Sequence, residues 1–131
     1  MQYRKEYRKF YECKIYMGSV NYSTKDVYSQ DEIELYCGQI QEEYEYVIPL
    51  RITETTYISE LTYQEKGWEI AAIDYPKLRF TRKQIRNFMR HLAESLLDKF
   101  GQHIICVSDK DEIMMLENKE IFPSIKRLPY S

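Results

Sequence analysis

TRKQIRNFMRHLAESLLDKF, residues 81–100, is the stretch on which the fold turns. Ile85, Phe88, Met89, Leu92, Ala93, Leu96 and Phe100 recur at helical spacing and form one apolar stripe. Thr81 and Gln84 stand three apart, as a capping box requires, and Gly101 sits where a C-terminal cap belongs. Downstream, Ile104–Val107 reads as a short buried strand, Ser108–Asp111 as a turn, and Ile113–Leu116 as a strand pairing back. The tail from Glu117, with Pro123 and Pro129, reads as irregular.

Upstream, Trp68–Tyr75 reads as a strand that Pro76 stops, with Lys66-Gly67 as the turn before it. Tyr46–Ile58 is a second strand region, with Ile48, Leu50 and Ile52 on one face and Arg51, Thr53, Thr55 and Tyr57 on the other. Pro49 lacks a ladder donor and marks an edge, a bulge or a strand start. Ser29 and Glu32 form another capping box, followed at helical spacing by Ile33, Tyr36, Cys37, Ile40 and Tyr44. Gly38 inside that helix suggests close packing against a second helix. Tyr11–Met17 alternates as a half-buried strand, Gly18–Tyr28 is loop-like, and residues 1–9 form an arm. The order is therefore β-α-β-β-α-β-β. It predicts an α+β fold, a relative of the ferredoxin-like arrangement, with a mostly antiparallel sheet and two helices on one face.

The 131 residues fit a single domain able to bury a core without staples. No apolar run approaches the roughly 20 residues needed to span a bilayer. The N-terminus lacks the apolar stretch of a secretory signal, so a cytoplasmic location is expected, the host cytoplasm if the chain is phage-encoded. Cys13, Cys37 and Cys106 show neither zinc spacing nor a disulfide framework. Thirteen tyrosines suit either half-buried sheet faces or binding surfaces.

Charge is segregated. Residues 26–46 hold seven acids and no Lys or Arg; residues 75–93 hold six Lys or Arg and no acid. These regions face each other or face partners. The long helix places Arg79, Arg82, Lys83 and Arg86 at its N-terminal end, where the backbone dipole is already positive. Such a cluster fits an anion site. Tyr75 and Phe80 flank it and could stack on a base, with Arg51 and Thr53 reaching a ligand across the sheet. A solvated basic face is the plainer alternative. His91 and His103 belong to no catalytic or metal motif, and no nucleophile elbow, Cys pair or Gly-rich phosphate loop is present. Catalysis, a cofactor, a metal site and a nucleic-acid partner are not expected from these patterns.

Residues from about Val47 to Asn118 resemble small phage-borne α+β proteins, on Arg51-x-Thr53, Glu65-x-Gly67-Trp68, Tyr75-Pro76, Arg79-Phe80 and Met115-Leu116-Glu117-Asn118. The named family they look most like is the Thoeris anti-defence sponges. The resemblance implies a homodimer or higher homo-oligomer that sequesters a small anionic nucleotide of the cyclic ADP-ribose type without reacting with it. It implies Phe80 as the stacking ring and nearby arginines on the pyrophosphate. The other expectation is a protein–protein interaction module, or inhibitor, docking through its acidic or basic face.

Overall fold

In the computed structural model, which describes residues 2–60 and 63–119, alternation and capping place the elements nearly where periodicity puts them. They run β1 (Lys14–Gly18), α1 (Gln30–Glu43), β2 (Leu50–Glu60), β3 (Tyr63–Ala72), α2 (Arg82–Lys99), β4 (Ile104–Ser108) and β5 (Ile113–Glu117). A 3₁₀ turn, Pro76–Leu78, leads into α2. The strands form one antiparallel sheet in the order β2-β3-β1-β4-β5. The first four have the ferredoxin-like order, and β5 extends the sheet beyond β4. The α+β expectation holds.

Both helices lie on one face of the sheet. Alternation from Tyr11 carries Tyr11, Cys13, Ile15 and Met17 into the core, although ladder pairing begins only at Lys14. Trp68 and Ile70 of β3 and Ile105 and Val107 of β4 join them. The helices close this layer with Ile33, Cys37 and Ile40 of α1 and Phe88, Met89, Leu92 and Leu96 of α2. Ser29 and Thr81 each complete a capping box, satisfying amides that the first helical turns leave unpaired. Gly101 ends α2 with φ at 56°, the left-handed conformation that glycine adopts without strain.

Three local expectations fail. Lys66-Gly67 is not a turn: Gly67 lies inside β3, opposite Gly18 and Thr55. It is there for space, since a Cβ would stand 2.2 Å from the Met17 carbonyl oxygen and 2.8 Å from the Tyr57 ring. β3 ends at Ala72, before the predicted Tyr75. Gly38 packs against no second helix, and a Cβ there would meet nothing within 4 Å. The expected tail is strand as far as Glu117; Pro123 and Pro129 lie outside the described residues. Gln2–Lys9 is exposed and without regular structure, with Arg8 ion-paired to the well-buried Asp74 carboxylate.

The basic stretch does not turn to the acidic helix. Arg86 of α2 meets Asp109 at 2.7 Å and Asp111 at 3.8 Å, and Arg90 meets Glu112 at 2.5 Å, all in the β4–β5 turn.

Candidate functional site

The sheet face away from the helices is open. Period-two alternation sends Tyr16 and Gly18 of β1, Glu65, Gly67 and Glu69 of β3, Tyr57 of β2, and Ile104 and Cys106 of β4 to it. A cavity of about 400 Å³ lies there, walled by Tyr16, Tyr22, Tyr57, Tyr63, Glu65 and Cys106 and closed at one side by Gln102 and His103. That volume lies within the range of small-molecule sites.

Each wall is held by an identifiable contact. The Tyr57 hydroxyl donates to the Trp68 carbonyl at 2.8 Å, and its ring lies in the space that Gly67 leaves free. The Tyr16 hydroxyl accepts from Ser108 Oγ at 3.0 Å. Glu65 accepts from the Tyr63 hydroxyl at 2.7 Å and from the Val20 amide at 3.3 Å. Gly18 permits this placement, because a Cβ there would stand 1.8 Å from Glu65 Oε2. Gln102, buried, donates to the Val20 carbonyl at 3.0 Å and ties the loop after β1 to the end of α2. The His103 ring lies 5.4 Å from the Tyr22 ring.

Burial favours the neutral forms of Tyr57, Cys106 and His103. Burial, assisted by the charge of Glu69, raises the Tyr57 hydroxyl well above its ordinary range. Burial likewise raises the Cys106 thiol. It lowers His103, against the opposing pull of Glu117. Neither Tyr57 nor Cys106 is therefore an ionised nucleophile, and Glu65 is the carboxylate among the lining residues.

The sequence-predicted residues lie elsewhere. Phe80 packs against the core, its ring 5.3 Å from that of Tyr46. Tyr75 is half exposed before the 3₁₀ turn, and Arg79 is exposed after it with φ at 55°. Arg82 lies over the Tyr11 ring at 5.4 Å, and Arg86 is held by Asp109, which also accepts from Tyr11. Arg51, 4.0 Å from Glu12, and Thr53 do face the open side. The fold thus keeps Phe80 on the helix-covered side of the sheet and Arg51 and Thr53 on the other. The cavity walls Tyr16, Tyr22, Tyr63, Glu65, Gln102, His103 and Cys106 were not among the residues expected from the sequence to meet a ligand. The available signal was that alternation sends Tyr16 and Tyr57 outward from strands of one sheet.

No family model matches the chain, and no match is found among curated proteins. Among solved structures the chain is similar to a phage SAM lyase in complex with S-methyl-5'-thioadenosine, with a TM-score of 0.62 and 10% identity over 83% of this chain and 90% of that one. It is also similar to a phage SAM lyase in the apo state, with a TM-score of 0.63 and 15% identity over the same shares. At these identities the likeness is one of fold. It corrects two expectations. The sponge reading, sequestration of a cyclic ADP-ribose signal without chemistry, is overturned, because the fold it was read onto is that of a lyase. The expectation that the chain is no enzyme falls with it, and the docking-module alternative fits this likeness no better. What survives of the phage resemblance is coarser: the fold is shared with a phage protein seen with a small nucleoside-like ligand. No helix among the described residues is long and apolar enough to cross a membrane.

Proposed function

We propose that the tyrosine-walled cavity binds an adenosyl sulfur compound and that the protein is a lyase acting on S-adenosylmethionine. The observation that carries this reading is the cavity itself, in which four tyrosine rings and one carboxylate, Glu65, meet on the open face. A nucleoside base stacks on such rings for roughly 1–3 kcal/mol. A sulfonium is a cation, and a cation over a tyrosine face gains about 0.5–2 kcal/mol. Glu65 supplies the opposite charge for the sulfonium or for the substrate's ammonium group. The fold likeness adds support, being to a lyase seen with methylthioadenosine.

The chemistry needs little from the protein. Release of methylthioadenosine breaks the bond between the sulfonium sulfur and the γ carbon of the methionine chain. The bonding pair goes to sulfur, which becomes a neutral thioether. The substrate's own carboxylate oxygen takes the vacated γ carbon and closes a five-membered lactone. No water, oxidant or external base enters the balance. The protonated Tyr57 and Cys106 are compatible with this course, since neither is asked to act as a base or nucleophile. The walls would hold the chain bent toward its own sulfur, and orientation of this kind contributes as much as ~7–11 kcal/mol to a barrier.

The test is incubation of the protein with S-adenosylmethionine, with products separated by mass. Methylthioadenosine should accumulate with the wild type and fall at least tenfold with Glu65→Gln. Unchanged substrate after prolonged incubation would end the reading.

A further inference from the structure

Two strands, β2 and β5, stand at the edges of the sheet, and they differ in length. β5 has five residues, short enough to be a poor template for another strand. β2 has eleven, Leu50–Glu60, and among the described residues no hydrogen bond reaches the backbone of its outer side. One contact fixes which peptide groups lie on that side. The Ile73 amide donates to the Pro49 carbonyl at 2.8 Å, so residue 49 turns toward β3. Arg51, Thr53, Thr55 and Tyr57 follow it, and Ile52, Glu54, Thr56 and Ile58 present their amides and carbonyls outward. The usual protections of such an edge are missing from this run. It contains no Pro and no Lys, and the irregularity in its pairing falls at the far end, between Ile58 and Glu60. Ile58 is 65% exposed.

We infer that the outer edge of β2 is an interface for a second copy of this chain, paired antiparallel about a two-fold axis at Thr55 so that two sheets become one. A two-fold pairing brings outward peptide groups together only when its centre falls on a residue. Centred on Thr55, it sets Ile52 opposite Ile58 and Glu54 opposite Thr56 in the hydrogen-bonded pairs, with Thr53 opposite Tyr57 between them. Apolar side chains then meet apolar ones, no like charges stand directly opposite, and Ile58 is covered. Glu54 keeps Lys66 of its own copy as counter-ion at 3.6 Å. The neighbouring registers are worse. Centred on Glu54, the pairing sets two carboxylates against each other; centred on Thr56, it sets Glu54 against Ile58 and Ile52 against Glu60. The β5 strand of another copy could pair with only five of the eleven residues, whereas the two-fold seam runs from Ile52 to Ile58 in both copies. The seam lies along the edge of the sheet and the tyrosine cavity opens on its face, so the interface is independent of the lyase reading.

Sedimentation equilibrium over a dilution series should give a species of twice the 16.0 kDa chain mass that dissociates on dilution. Thr56→Pro removes an outward amide and spares the β3 ladder, because an edge strand accepts proline where its nitrogen faces away from the neighbouring strand. It should raise the dimer dissociation constant at least about tenfold while the circular dichroism spectrum stays that of the wild type. Should that variant fail to fold, Ile58→Lys, a change at an exposed side chain, should weaken the dimer in the same direction. Cysteine pairing under diamide reads the register. Thr55→Cys places two thiols on the axis, where the facing Cα atoms of a non-hydrogen-bonded pair stand about 4.5 Å apart, within disulfide reach. Thr53→Cys faces Tyr57 and should not cross-link. A single-chain mass at every concentration overturns the interface. So does an oligomer that survives both Thr56→Pro and Ile58→Lys, or one that cross-links through Thr53→Cys and not through Thr55→Cys.

Discussion

Gly18 and Gly67 face each other across β1 and β3, and each makes room for one wall of the cavity. Their substitutions should therefore separate folding from binding. At Gly67 an added methyl would meet backbone, the Met17 carbonyl at 2.2 Å, so strands must move. Gly67→Ala should cost roughly 1–3 kcal/mol of stability, read from the shift in denaturant midpoint. At Gly18 the atoms nearest the methyl would be those of the Glu65 carboxylate, the end of a flexible side chain that can swing away. Gly18→Ala should leave the melting temperature within a few degrees of wild type yet weaken methylthioadenosine binding, because the displaced carboxylate loses the Val20 amide and Tyr63 hydroxyl. Asp109 is the corresponding structural residue. Burial alone would raise its carboxyl, but the Asp111 and Glu112 amides, Arg86 and Tyr11 together hold it down at about 2. A carboxyl lowered on folding stabilises the protein above its unfolded pKa, here the ordinary 3.8. That stability is lost as pH falls from 3.8 through about 2. Asp109→Asn should cost about 2–4 kcal/mol at neutral pH and flatten the acid limb of the stability profile, which urea melts across this pH window would reveal.

The helices were the elements most legible in the sequence, and the reason is local. A capping box and an apolar stripe lie within one stretch of chain, so Ser29 with Glu32 and Thr81 with Gln84 announce their helices without tertiary information. Gly38 misled because a helical glycine has two readings, close approach or simple tolerance, and only the neighbouring chain decides between them. The open space beside it makes Gly38→Ala a stabilising change of about 0.5–1 kcal/mol, measurable by thermal melting. Gly67 misled in the opposite direction. Lys-Gly reads as a turn, yet the strand continues through it because a ring from β2 and the backbone of β1 require the missing side chain. Such a glycine is invisible until the pairing partners are known.

Over the whole molecule, the covered face of the sheet holds the core and the open face holds the proposed site. The basic entrance to α2 attracted a ligand reading because its like charges looked unbalanced along the chain. In the fold, Asp109 and Glu112 arrive from the β4–β5 turn and answer Arg86 and Arg90. Phe80, next in line as a stacking ring, is drawn onto the core beside Tyr46. The cavity collects residues from β1, β2, β3, β4 and the loops beside them, so no short motif could announce it. Alternation did place Tyr16, Tyr57, Arg51 and Thr53 on an outer face, but which strands lie side by side comes from the order β2-β3-β1-β4-β5. The most direct measurement is a crystal of the protein grown with methylthioadenosine. The nucleoside should lie between the Tyr16 and Tyr57 rings, with Glu65 toward its sulfur. Ligand seated instead among Tyr75, Arg79 and Phe80, or an empty tyrosine cavity at saturating ligand, would contradict it.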